Sequence, residues 1–255
     1  MVTRAVKPTL WQFWEDPDGG SMPEWIRLCR ETVKRHAGED FEIRLLNERT
    51  VQELLPNVGP VIAKVRDLNV KAHSHGSSRS IGIRTGFYRA FLLHKFGGMW
   101  LDTDAILFRS PLSLYRSIQP PGFAAAKLYM KRIRVSNGML MAWPGSRFAL
   151  AYCQKLQWML GKSVLQKWGA PGTHLLVQLV KHMPDDIHLL TSSRFHPILS
   201  TQRKALLHPG YSDDWIHEDT VGCLLYNSGM PEVRLQTPAG DKTLLGALLQ
   251  RALED

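Results

Sequence analysis

Hydrophobic and polar positions recur along this chain with two different periods, and the switches between them predict its elements. Thr9 to Trp14 (TLWQFW) and Phe41 to Leu46 (FEIRLL) read as strands. Between them Trp25, Leu28, Cys29 and Val33 share one face, which predicts a helix over Met22 to His36. Ser21 is its expected cap, Pro23 suits the first turn and Glu24 favours the N-terminus. Asn47 is expected to cap a short helix through Leu55. Thr85 to Phe96 has the residue types of a buried helix, stopped by Gly97 and Gly98. Met99 to Leu101 then forms a short strand aimed at Asp102, Ala105 to Phe108 continues extended, and Pro111 opens a helical turn.

Further strands are predicted at Gly122 to Ala126, Met139 to Trp143 and Val221 to Tyr226. Helices are predicted at Gly145 to Leu160, Thr173 to His182 and Lys242 to Leu253. Asp16 to Gly20, Pro56 to Pro60 and Gln119 to Gly122 read as turns, and Ala72 to Ser80 as a polar loop. Strands separated by helical patterns imply an α/β domain with a largely parallel sheet. In such sheets ligands bind beyond the carboxyl ends of strands, at the point where strand order switches. Asp102-Thr103-Asp104 occupies that kind of position.

Composition narrows the class. The 255 residues allow one large domain or two small ones, and 44% hydrophobic with 22% charged residues excludes a mostly disordered chain. Lys and Arg number 32 against 23 Asp and Glu, and the net charge of +9 favours an anionic partner: nucleic acid, an acidic lipid surface or a phosphorylated substrate. A solvated basic surface is the alternative. Cys29, Cys153 and Cys223 are odd in number and widely spaced, so they read as buried free thiols of a reducing, cytoplasmic compartment. No targeting segment precedes Trp14, and no apolar run reaches membrane-spanning length.

Two carboxylates two residues apart, just past a strand, can converge on one cation. Hard ions such as Mn²⁺ and Mg²⁺ prefer oxygen ligands and keep positions for water and phosphate oxygens. An Asp-x-Asp tripeptide is also common in plain turns and caps, so the flanking residues decide its meaning. Phe87 to Leu112 reads FYRAFLLHKFGGMWLDTDAILFRSPL. With Arg89, Leu93, Gly97, Gly98, Trp100, Asp102 and Asp104 in register, it resembles the core of the DxD glycosyltransferases. The similar group comprises the yeast-type α-mannosyltransferases, the α-1,4-galactosyltransferases and the bacterial capsular or lipopolysaccharide sugar transferases. Lys7 to Trp14, Pro23-Glu24-Trp25, Val135 to Gly145 (VSNGMLMAWPG), Phe195 to Ile198 (FHPI) and Leu225-Tyr226-Asn227 extend the resemblance more weakly over most of the chain.

The resemblance implies a GT-A fold, Rossmann-like, with a mostly parallel mixed sheet in one domain over 1–255. Its nucleotide-sugar half would cover about 1–112 and its acceptor half about 113–255. It implies transfer of a sugar from a UDP- or GDP-linked donor to a hydroxyl of a saccharide or lipid-linked acceptor, with retention and with Mn²⁺ or Mg²⁺. Asp102 would lie near the ribose or the metal, Asp104 would ligate the metal, and Arg89 would orient the donor sugar and the first carboxylate. Trp11 or Trp14 would stack on the base, with Gln12, Gly97, Gly98, Asn137, Gly138 and Asn227 at the substrate. Each has a structural alternative: Arg89 as an ion-pair partner, Trp11 and Trp14 as core, Asn137-Gly138 as a tight turn.

Three departures stand out. Gly86 replaces the Asp that the group carries three residues before the Arg, and that Asp helps hold the donor sugar. Leu224 replaces the His expected to help at the metal, with His217 nearby in sequence. Ala170 to Thr173 reads APGT where the group has T-G-P. They leave open a non-transferring relative that keeps the fold, and the charge leaves open a nucleic-acid-binding protein, although no nucleic-acid fold motif accompanies it. The basic stretch Lys127 to Arg134 suits a diphosphate, an anionic acceptor or an acidic membrane; Leu156 to Gly169 suits core packing or a lipid interface. His73 and His75 read as exposed loop residues, and Asp213-Asp214-Trp215 as a cap or surface turn.

Overall fold

The segment TLWQF, buried on both faces, starts the sheet. Strand β1 (Thr9–Phe13) is followed by helix α1 (Glu24–Ala37), β2 (Glu42–Leu46), α2 (Glu48–Leu54), α3 (Gly59–Arg66), α4 (Ser78–Phe96), β3 (Gly98–Leu101) and β4 (Ala105–Leu107). The chain continues with α5 (Leu112–Ser117), β5 (Phe123–Leu128), β6 (Arg134–Ala142), α6 (Arg147–Gly161), α7 (Leu175–His182), β7 (His188–Leu190), β8 (Gly222–Leu224) and α8 (Leu244–Glu254). This computed structural model describes residues 6–16, 20–66, 78–128, 134–161, 170–209, 213–226 and 242–254.

The main sheet has the order β2-β1-β3-β6-β5-β7. β1 pairs in parallel with β2 and β3, and β5 with β7, while β6 runs antiparallel to both β3 and β5. Five strands therefore point one way and β6 alone opposes them. From β1 the chain moves outward to β2 and then returns to place β3 on the other side of β1. That reversal is the switch point at which a ligand cleft is expected. β4 and β8 form a separate antiparallel ribbon, with Ala105 opposite Leu224.

Helices cover both faces. Phe87, Tyr88 and Leu92 of α4, Phe148, Tyr152 and Leu156 of α6, and Leu175 and Leu176 of α7 bury one face of the sheet. Val33 of α1 and Tyr115 of α5 cover the other with Phe41, Met99 and Leu101. A third cluster joins Trp25 and Cys29 of α1 to Ile106, Cys223, Leu244 and Leu248. All three cysteines are buried and unbridged, and burial pushes the thiols of Cys153 and Cys223 up to about 12. No helix among the described residues is long and apolar enough to cross a membrane.

Local chemistry explains where the elements follow the sequence reading and where they differ. Asn47 caps α2 as expected: its Oδ1 accepts the Thr50 N–H at 2.9 Å, and Thr50 Oγ1 accepts the Asn47 N–H at 2.9 Å. Ser21 does not cap α1. Pro23 is the N-cap, its carbonyl taking the Arg27 N–H at 3.0 Å. Pro56 to Pro60 is helical rather than a turn, because both prolines sit in first turns, where a missing N–H costs no hydrogen bond. Ser78–Ser80 belongs to α4, which starts before the expected Thr85; the rest of the expected loop, with His73 and His75, lies outside the described residues. Residues 17–19 of the first turn also lie outside them. β6 begins at Arg134 rather than Met139, because Arg134 and Val135 pair with Leu128 and Lys127. β7 had no sequence signal of its own. Three residues are too few to display a period.

The α4-to-β3 turn depends on its two glycines. Gly97 and Gly98 adopt φ of +67° and +92°, a region other residues rarely occupy. A Cβ on Gly97 would press on Pro144, and one on Gly98 would overlap the Thr9 carbonyl oxygen.

Candidate functional site

β3 ends at Leu101, so Asp102 emerges at the carboxyl edge of the sheet beside the β1/β3 switch. Its backbone N–H donates to the Gly138 carbonyl of β6 at 2.8 Å. Its Oδ1 accepts the Trp100 indole N–H at 2.7 Å and lies 3.4 Å from Nη2 of Arg89. The carboxylate is one-third exposed and the arginine 4% exposed. Arg89 also donates from Nε to the Thr85 carbonyl at 3.0 Å, from Nη2 to Thr85 Oγ1 at 3.2 Å, and from Nη1 to the Asn137 carbonyl. Its guanidinium stands 5.0 Å from the centre of the Trp100 ring. One buried cation thus ties α4 to β6 and to the first carboxylate.

Gly138 borders the other carboxylate oxygen. A Cβ there would stand 2.8 Å from Asp102 Oδ2 and 2.7 Å from Leu224 Cδ2. Leu224 therefore lies at the first carboxylate, where the resemblance expects a histidine. Among the described residues, no cluster of three His, Cys, Asp or Glu side chains is arranged to hold a metal.

The turn Ala170–His174 closes the side of the site. Tyr152 donates its hydroxyl to the Pro171 carbonyl at 2.7 Å. A Cβ on Gly172 would run into Asn137 Nδ2, so the turn lies directly on that amide. A Cβ on Gly86 would reach Pro171 Cβ at 3.2 Å. Two of the sequence departures are thus one structural feature. Proline from APGT rests on the glycine that replaces the group's aspartate, and a larger side chain at 86 would have to displace it.

Asp104 occupies the turn from β3 to β4, partly exposed, and its carbonyl accepts the Leu225 N–H at 3.0 Å. Beyond it, His196 and Tyr226 stack at 5.7 Å, with His196 Nδ1 and the Tyr226 hydroxyl 2.8 Å apart. Tyr226 holds φ of +58°, unusual for a non-glycine residue. Burial pushes its hydroxyl well above the usual phenol range, and the charge of Asp104 adds to the push.

Burial pulls the His196 imidazole down to about 3, so it stays neutral in the folded protein. An unfolded histidine takes a proton near pH 6.5. Between pH 6.5 and 3 the unfolded chain therefore binds more protons, and stability falls as pH falls. His196→Phe keeps a ring and removes this effect. Relative to the parent, the variant is expected to gain stability by on the order of 1 kcal/mol per pH unit below 6.5. Urea titrations at several pH values check this; parallel pH dependences would refute it.

The sequence-predicted site residues divide into two groups. Arg89, Asp102, Asn137 and Gly138 come together, with Asp104 on the adjoining turn. Gly97 and Gly98 do not join them: they sit at the opposite end of β3, about 13 Å away along a four-residue strand. Trp11 is 2% exposed, donates its indole N–H to the Gly97 carbonyl at 2.9 Å and packs on Phe96, so it presents no face to a base. Gln12 is fully buried, its amide without a partner among the described residues, and thus lies inside the fold rather than on the cleft surface. Trp14 lies at the carboxyl end of β1, partly buried against the third cluster. Asn227 lies outside the described residues. Thr85, Tyr152 and Pro171 escaped the sequence reading, and only the altered APGT hinted at the last.

Residues 3–132, just over half of the chain, match the family model described as capsular polysaccharide synthesis protein. No curated protein matches the chain in sequence. Among solved structures, it is similar to a glycosyltransferase involved in glycosylation of the major capsid of PBCV-1, at 8% identity and a TM-score of 0.54, covering 87% of this chain and 95% of that one. Mouse xyloside xylosyltransferase 1 gives 13% identity and 0.51, covering 86% and 97%. The Streptococcus pneumoniae glycosyltransferase GlyE gives 12% identity and 0.54, covering 98% of this chain and 61% of that one. At these identities the likeness shows the fold: the α/β architecture is the GT-A arrangement.

Proposed function

This chain belongs to the capsular polysaccharide synthesis protein family, and on that premise we propose that it is a glycosyltransferase. It moves a sugar from a UDP- or GDP-linked donor to a hydroxyl of a saccharide or lipid-linked acceptor, with retention at the anomeric carbon. One observation carries the reading: Asp102 stands at the switch point, one oxygen fixed by Trp100 and Arg89 and the other facing a glycine.

Two carboxylates suit a hard divalent ion, Mn²⁺ or Mg²⁺, which would keep positions for water and diphosphate oxygens. Asp102 and Asp104 would hold it, and when bound it neutralises charge growing on the departing diphosphate. The protein's own residues do the positioning. Trp100 and Arg89 set the direction of the Asp102 carboxylate. Gly138 leaves the room beside it that any side chain would take. Asn137, with Gly172 on its amide, borders the donor side. No protein nucleophile is invoked, since in a front-face transfer the leaving phosphate takes the acceptor's proton and the enzyme supplies alignment and charge stabilisation.

A second reading rests on Leu224 and on Pro171 filling the space at Gly86: a relative that binds nucleotide without transferring sugar. A thermal-shift panel of nucleotide sugars with and without Mn²⁺, followed by product analysis, separates the two. A matched donor at about 100 times its Kd stabilises by roughly 2.7 kcal/mol, a rise of about 5–10 °C for a chain of this size. Metal-enhanced stabilisation with product supports transfer, stabilisation without product supports the second reading, and no shift with any UDP or GDP sugar refutes both.

A further inference from the structure

Acidic residues are distributed very unevenly along the chain. Residues 54–184 contain 18 Lys and Arg but only three acidic residues, Asp67, Asp102 and Asp104. That segment nets 18 − 3 = +15, so the remainder nets +9 − 15 = −6. Part of this bias falls on one side of the sheet. Helices α3, α4, α6 and α7 pack on the same face of the sheet, and none of the four contains an Asp or Glu. Acids elsewhere on this side are largely paired: Glu48 with Arg84 at 2.7 Å, Glu53 with Arg49 at 3.0 Å, and Asp186 with Arg147 at 3.8 Å. Lys64, Lys95, Lys181 and His182 are exposed there.

Within this basic face two large apolar side chains of α6 are exposed. Trp158 is 51% and Leu150 39% exposed, and with Gln154 they line up at four-residue spacing along α6. Lys155 Nζ lies 3.9 Å from the centre of the Trp158 ring. A groove of about 440 Å³ runs beside it between α3 and α6, lined by Pro60, Val61, Lys64, Gln157 and Leu160. An exposed indole flanked by lysines is suited to a bilayer interface, where the ring enters the headgroup layer and the ammonium groups meet lipid phosphates. Nucleic acid would use the same charge but gives no account of Leu150 or of an apolar groove.

We propose that the α3–α6 face, centred on Trp158, Leu150, Lys155 and Lys64, docks this protein on an anionic lipid bilayer. The surface does not depend on sugar transfer, and its test needs no activity. The probe is sedimentation with phosphatidylcholine vesicles, with and without phosphatidylglycerol, at low and at physiological salt. Binding is expected only to the anionic vesicles and is expected to weaken with salt. Trp158→Ala and the double variant Lys64→Glu with Lys155→Glu are each expected to lower partitioning by about tenfold or more. These are surface changes, and thermal denaturation of each variant checks that the fold is kept. Absence of binding, equal binding to neutral vesicles, or parent-like partitioning of both variants overturns the proposal. So does duplex DNA binding at physiological salt that outcompetes the vesicles and ignores Trp158→Ala.

Discussion

Replacing Asp104 with alanine is expected to lower sugar transfer by about 10²–10³-fold while leaving the fold intact. The side chain and the backbone of Asp104 have different roles. The backbone carbonyl of Asp104 holds the Leu225 N–H and so docks the β8 segment against the β3–β4 turn; alanine keeps that bond. The side chain is partly exposed on a turn. What is lost is one of two carboxylates proposed to place a divalent ion at the diphosphate. On that proposal, the loss of one carboxylate would leave the ion a single side-chain contact from the pair. Initial rates with the donor found by thermal shift, together with a Mn²⁺ titration and far-UV circular dichroism, make the measurement. Turnover within about tenfold of the parent would remove Asp104 from the mechanism.

The position of those two carboxylates just past β3 was readable from sequence because two kinds of information coincided on it. An apolar run ending in acidic residues marks the carboxyl end of a strand, and the surrounding register of Arg89, the two glycines and Trp100 marks which strand. The same register misled at its other end. Gly97 and Gly98 make the α4-to-β3 turn, at the other end of β3 from Asp102, and sequence order alone does not tell which end of a short strand lies beside the switch point. Trp11 shows the matching ambiguity. Alternation put it on one face of β1, but only the assembled sheet shows that this face is α4's, where the indole N–H is used on Gly97.

Contacts between distant segments were the least readable. Gly86 and Ala170 to Thr173 each departed from the expected pattern, and nothing in the sequence linked them. The fold brings Pro171 onto Gly86 and Gly172 onto Asn137, so the departures are complementary in shape. Leu224 behaves the same way. It was a missing histidine in sequence, and in the structure it is an apolar atom close to Asp102. The charge bias of the α3–α6 face also needed the sheet, since it becomes a surface only when four helices share one side.

Arg89→Ala is expected to cost about 3 kcal/mol of stability and to take transfer down by about 10²-fold or more in whatever folded protein remains. The cost does not come mainly from the ion pair. Asp102 is one-third exposed, so solvent screens its attraction to the guanidinium. It comes from the packing and the hydrogen bonds that the buried guanidinium gives up, at the Thr85 carbonyl and hydroxyl and at the Asn137 carbonyl. Loss of the cation over the Trp100 ring adds to it. Asp102 would then keep only the Trp100 indole as a fixed partner and swing within the cleft. Arg89 acts through Asp102 and β6, which makes it a positioning residue, and Arg89→Lys tests that role. Lysine keeps the charge but cannot reach Thr85, Asn137 and Asp102 together from one nitrogen. Most of the stability is expected to return while transfer stays low and the Mn²⁺ requirement rises. Denaturant titration of both variants beside steady-state kinetics makes the comparison. Full recovery of transfer by lysine would show that charge alone, and not the bridging geometry, is what this site needs from residue 89.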